Sequence, residues 1–271
     1  MVTSTFFFMF SQLGVGMMLA LLFLDARRIG SGFFKFASLT AGILMGVPVA
    51  FDYFFPSPYR VSYGPAILLI VCVGLTILYN RVMNLDKFAP GFALLIGVVG
   101  TGLASIVWDS LAFNKLLNIV GMQHWMLVAN NLAGAAILGT VLLAMVFGHW
   151  YLVIPGLSID HLDKLVKVLM GTILLRTISV VMTFGMINLE PSLSLKTVLP
   201  VLMLTVSHGI FFWMRLVCGI VAPIVLGVMI YSTVQLKHTQ AATGLLYVAV
   251  VVLLLGEFMS KFLLFDVQLP F

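Results

Sequence analysis

Glu257 and Lys261 stand four residues apart in the apolar run VVVLLLGEFMSKFLLF, residues 250–265. A charge at the centre of a bilayer costs roughly 2.5–3.5 kcal/mol on insertion scales, so an ionisable side chain there is a functional hypothesis by default. Arg176 and Arg215 interrupt two further apolar runs, and Gln12 and the pair Asn130-Asn131 interrupt two more. A carboxylate within reach of water can take up a proton, and guanidinium and amide groups can hold an oxygen-bearing ligand. Histidine titrates near neutral pH. His208, seven residues before Arg215, is therefore a candidate proton relay beside Glu257. No residue cluster suggests a metal site. Cys72 and Cys218 form no C-x-x-C pattern, so the chain encodes no cysteine-ligated Fe–S cluster and no covalent haem.

The elements that must position these residues follow from composition. The chain is 62% hydrophobic and only 8% charged, against about 25% charged in soluble domains. That implies an all-α integral membrane protein in one domain, residues 1–271, without a soluble domain. The net charge of +5 calls for no nucleic-acid partner, because basic residues mark cytoplasmic loops in membrane proteins. Apolar runs of about 20 residues predict eight spans near 5–24, 33–55, 63–80, 89–109, 125–148, 164–187, 208–235 and 241–265. The N-terminus is read as the first span, retained, since it lacks the features of a signal peptide.

Lys and Arg divide unequally between the two sides. One side carries Arg27, Arg28, Lys35, Arg81, Lys87, Lys164, Lys167 and Lys237; the other carries Arg60, Lys115, Lys196 and Lys261. The positive-inside rule then places both termini on the outer, periplasmic side, with short loops between spans. Residues 192–206 read as an outer-surface helix, with Ser207-His208-Gly209 as the bend into the membrane. At 1.5 Å per residue, Arg215 lies about 10 Å and Glu257 about 12 Å below the outer ends of their spans. Opposite charges at one level are expected to pair. Lys261 shares a helical face with Glu257 and is expected to snorkel to the outer interface. Arg176, near the middle of span 6, has no evident partner by depth.

Plainer readings stand beside these. Trp108, Trp125 and Trp213 fit interfacial anchors. Asn130 and Asn131 fit helix-joining amides, and the Gly42–Gly46 G-x-x-x-G fits close helix packing. Asp52 and Asp109 fit solvated span ends.

The first span, FFFMFSQLGVGMMLALLFLDARR, resembles the opening helix of the membrane anchor subunits of dimethyl-sulfoxide-reductase-type enzymes, relatives of the polysulfide-reductase membrane subunits. The seventh, FFWMRLVCGIVAPIVLGVMIYSTVQLK, resembles their Trp-plus-Arg helix. The last, LLLGEFMSKFLLF, resembles their G-E-x-x-x-R/K helix. The likeness covers three of eight spans; FGHWYLVIPGLSIDHL has no counterpart. It implies an eight-span subunit of a bacterial or archaeal inner membrane that binds quinol (menaquinone or ubiquinone) near the outer face. Electrons would pass to an Fe–S subunit joined to a catalytic subunit, with no haem or Fe–S in this chain. Carried over, Gln12, Arg215 and Glu257 line the quinol pocket, and Lys261 stands at a basic position. Trp213, Asn131 and Arg176 join this binding set on depth and residue type, and His208 joins Glu257 as the proton-handling pair.

Other classes also fit the sequence. A b-type cytochrome needs paired axial histidines, for which His124 with His208, or His149 with His161 or His238, are the candidates. A transporter or proton channel could use Glu257, Arg215 and Arg176 as a relay. A purely structural subunit of a respiratory complex is the remaining reading.

Overall fold

The computed structural model describes residues 2–55, 62–116, 123–154, 157–189 and 206–267. All regular structure among them is helical: α1 (Val2–Leu21), the short α2 (Ala26–Ile29), α3 (Ser31–Phe54), α4 (Gly64–Asn84), α5 (Phe88–Leu116), α6 (Gln123–Val153), α7 (Asp160–Leu189), α8 (Val206–Leu216), α9 (Ala222–Gln235) and α10 (Thr239–Val267). Eight helical segments are long and apolar enough to cross a membrane, with α8 and α9 joined as one. The chain is a multi-pass helical membrane protein, as its composition predicts.

Two helices form the centre. α1 and α6 are largely buried, whereas α3, α4, α5, α7 and α8–α9 bury a minor part of their surface. α1 packs on α3, α5 and α6; α6 also packs on α5, α7 and α10; and α10 packs on α8 and α9. Lipid competes for apolar surface, so helix pairs in membranes gain most from close backbone approach at small residues. Gly16 and Gly139 supply that approach: a Cβ on either would lie 1.8 Å from the other helix's backbone. The expected G-x-x-x-G at 42–46 plays a different part. A Cβ on Gly46 would meet nothing within 4 Å, and one on Gly42 only the Thr76 methyl at 3.5 Å. These two glycines face a groove rather than a helix.

The seventh span departs from expectation. The proposed surface helix at 192–206 lies outside the described residues except Val206, which opens α8. Ser207-His208-Gly209 is helical, not a bend. The irregularity comes later, as a π-helical turn at Val217–Val221, where the Ala222 N–H bonds the Val217 carbonyl. Pro223 explains it. Proline has no N–H for the carbonyl four residues back, that of Gly219, and its ring crowds it. A widened turn relieves the conflict.

Candidate functional site

Six of the membrane-crossing helices contribute to one buried polar network. Glu257 on α10 is its hub. Arg176 of α7 grips the carboxylate on both oxygens, Nε to Oε1 at 2.8 Å and Nη2 to Oε2 at 3.0 Å. This fork-on-carboxylate geometry is the strongest form of charge-assisted hydrogen bonding. Arg215 of α8 reaches Oε1 at 3.3 Å and the Gly256 carbonyl at 3.3 Å. The Arg215–Glu257 pairing expected from depth is present, but Arg176 is the closer partner of the carboxylate. All three side chains are at most 4% exposed.

The asparagines extend the hub. Arg176 Nη1 donates to the Asn130 carbonyl at 3.0 Å and to its Oδ1 at 2.8 Å. Asn130 Nδ2 in turn donates to Thr183 Oγ1 at 2.7 Å. Asn131 Oδ1 accepts from Gln12 Nε2 at 3.2 Å and from Lys261 Nζ, while Asn131 Nδ2 donates to Ser110 Oγ at 2.8 Å. The two amides therefore join helices, as their plain reading predicts. Lys261 does not snorkel. It is buried, donates to Asn131, and lies 5.7 Å from the centroid of the Phe8 ring. The face it shares with Glu257 points into the bundle, so its ammonium meets polar partners without reaching the interface. Asp109, beside Ser110, adds an electrostatic interaction with Lys261.

Three glycines make room for this arrangement. A Cβ on Gly134 of α6 would stand 3.0 Å from Glu257 Oε2 and 3.3 Å from Gln12 Oε1. A Cβ on Gly219 would stand 2.1 Å from Arg215 Nη1, and one on Gly256 would stand 2.6 Å from the Gly219 Cα. The close α10 crossing at the π turn is thus what brings Arg215 onto Glu257.

The network is not fully satisfied. Arg215 Nε, Arg215 Nη2 and Gln12 Oε1 are buried without a hydrogen-bond partner among the described residues. Leaving a buried polar group unsatisfied costs about 1–3 kcal/mol, more when it is charged. Both residues border Glu257: Arg215 bonds its Oε1, and Gln12 Oε1 faces Gly134 beside its Oε2. Two donors and one acceptor can together hold an oxygen function that both accepts and donates hydrogen bonds.

The remaining expectations divide. Gln12, Asn131, Arg176, Arg215, Glu257 and Lys261 come together. Trp213 is 47% exposed at the bundle surface, packed against Phe212. His208 lies in α8, but its side chain is outside the described residues. Asp52 is buried rather than solvated, and Asp109 is half-buried. His149 lies 3.4 Å from the Tyr247 hydroxyl, and His161 packs edge-on against Phe147. Ser110, Thr183, Gly134 and Ser260, whose Oγ lies 3.5 Å from Arg176 Nη2, were missed by sequence reasoning. Small and hydroxyl residues are ordinary in membrane helices and carry no signal of their own. An apolar groove of about 460 Å³ flanks the network, lined by Met126, Ala129 and Ala133 of α6 and Ile178, Ser179 and Met182 of α7, among others.

Comparison with family profiles, curated proteins and solved structures gives no match to this chain.

Proposed function

We propose that the chain is the quinone- and quinol-binding membrane subunit of a respiratory oxidoreductase. One observation carries the reading. A guanidinium edge and an amide oxygen, both buried and without a hydrogen-bond partner among the described residues, border the same carboxylate. A quinone carbonyl or quinol hydroxyl matches such a set on a molecule that dissolves in hydrocarbon. Arg215 would donate to the ligand oxygen and Gln12 would accept from the hydroxyl. The groove between α6 and α7 opens to lipid and suits an isoprenoid tail.

The roles shift accordingly. Both oxygens of Glu257 are engaged by Arg176, so Glu257 acts first as the counter-charge that fixes two guanidinium groups. When bound, quinol supplies two electrons and two protons. The electrons would leave to an Fe–S subunit linked to a catalytic subunit, in a bacterial or archaeal inner membrane. His208 remains the candidate proton relay. Trp213, exposed at the bundle surface, leaves the binding set and serves as an anchor.

The test is direct. Protein purified from native membranes is extracted, and its quinone is quantified by chromatography. The reading expects near-stoichiometric quinone in the wild type and several-fold less in Arg215→Met and Gln12→Ala variants. It fails if the wild type carries none above the lipid background, or if both variants retain the wild-type amount.

A further inference from the structure

The opposite end of the bundle is basic. Lys87 and Lys237 lie in the turns at that end, Arg27 and Arg28 in the short α2, and Lys35, Arg81, Lys164 and Lys167 within two turns of the ends of α3, α4 and α7. Contacts confirm that these ends adjoin: Asn80 Nδ2 donates to the Lys35 carbonyl at 2.9 Å, Phe36 stacks on Trp150, and Gln235 bonds Asp163 at 2.7 Å. Some of these cations are already matched. Arg28 pairs with Asp25 at 3.4 Å and Lys167 with Asp163 at 2.7 Å. Lys35 and Arg81 have no ion pair among the described residues, yet the Asn80–Lys35 bond brings their helix turns together.

Below these two cations the α3–α4 seam is open. A groove of about 290 Å³ is lined by Ser38, Gly42, Thr76, Asn80 and Arg81, among others. Val73 lines both this groove and a second one of about 360 Å³, which continues past Gly46 to Tyr53 and Phe54. Gly42 and Gly46 present no side chains to the seam; a Cβ on Gly46 would meet nothing within 4 Å. From Arg81 to Val73 the groove descends about 12 Å at the helical rise. Its polar atoms lie at the mouth, where Asn80 Nδ2 holds Ser38 Oγ at 3.0 Å. Its depth is hydrocarbon-lined.

We infer that this seam is a binding site for one anionic phospholipid, its phosphate held between Lys35 and Arg81 and an acyl chain lying along Gly42 and Gly46. The charge is complementary, the two cations have no ion pair among the described residues, and the slot beside them is mostly apolar. A zwitterionic lipid fills the same slot but its headgroup carries a cation that Lys35 and Arg81 repel. The site is independent of the quinone reading, since it uses none of the same residues.

Native mass spectrometry of the purified protein, with phosphatidylglycerol and phosphatidylcholine offered together, tests this. One phosphatidylglycerol should be retained preferentially. Each basic residue near an anionic membrane surface adds roughly five-fold in affinity, so Lys35→Gln with Arg81→Gln should lower retention by about 25-fold. Gly42→Leu, which fills the slot, should release the lipid while keeping both charges. Lys87→Gln and Arg27→Gln serve as controls and should leave retention unchanged. Equal retention of the two lipids would overturn the site. So would an equal loss in the controls, which would signify only a diffuse basic surface. Retention unchanged in Gly42→Leu would remove the groove from the proposal.

Discussion

Neutralising Glu257 should expose how the buried network is held together. Glu257→Gln keeps the shape and one acceptor oxygen but leaves Arg176 and Arg215 as buried guanidinium groups without a counter-charge. Removing one partner of a buried ion pair costs about 3–5 kcal/mol. Arg176→Met should cost at least as much, because it also removes one donor each from the Asn130 carbonyl and Oδ1. The double variant removes both sides of the 2.8 Å and 3.0 Å fork. It should therefore be less destabilised than the sum of the singles, by roughly 0.5–3 kcal/mol. Unfolding in mixed detergent and dodecyl sulfate, followed by tryptophan fluorescence, reads all four corners of the cycle. Additivity within about 0.5 kcal/mol would refute the reasoning, because two side chains bonded twice cannot be energetically independent.

Other outcomes follow from the same geometry. Arg215→Met should cost less than Arg176→Met, because Glu257 keeps Arg176 on both oxygens and two unsatisfied buried donors go with the lost 3.3 Å pair; the same preparation should lose quinone, so a loss of thermal stability in detergent as large as that of Arg176→Met would count against an unsatisfied edge. Gly219→Ala places a methyl 2.1 Å from Arg215 Nη1 and should reproduce the quinone loss of Arg215→Met, which extraction and chromatography would check. Gly139→Ala should prevent accumulation of folded protein, since its Cβ would overlap the Gly16 backbone, whereas Gly46→Ala should be tolerated or gain about 0.5–1 kcal/mol; equal yields for the two would refute the α1–α6 contact. Reporter fusions at each terminus should report both outside the cytoplasm, as the distribution of Lys and Arg predicts.

Fold class was legible because hydrocarbon-length apolar runs leave little choice but helices. The charged residues were also legible as a group, since each is costly where it stands. Their pairing was less so. Depth set Arg215 level with Glu257, but the same count from the expected span end at residue 187 puts Arg176 about 17 Å down, a full turn deeper, so depth did not reveal that pair. Rotation about the helix axis was the missing coordinate. It decides that Lys261 turns inward and that Trp213 turns outward, and neither follows from depth. Gly42 and Gly46 show the same limit: small residues permit contact without saying what will fill the space.

The π-helical turn at Val217–Val221 has a consequence for how span seven tolerates change. It inserts one residue's worth of rotation, about 100° for a helix of 3.6 residues per turn, between the half carrying Arg215 and the half beginning at Ala222. The two halves are out of phase with one another by design of that single surplus residue. Deleting one residue from Val217–Val221 would keep the span long enough for the bilayer and nearly unchanged in hydropathy. It would nonetheless swing the guanidinium away from α10 or force α9 off α7. A length change invisible to any hydropathy profile would therefore act as a point mutation in Arg215.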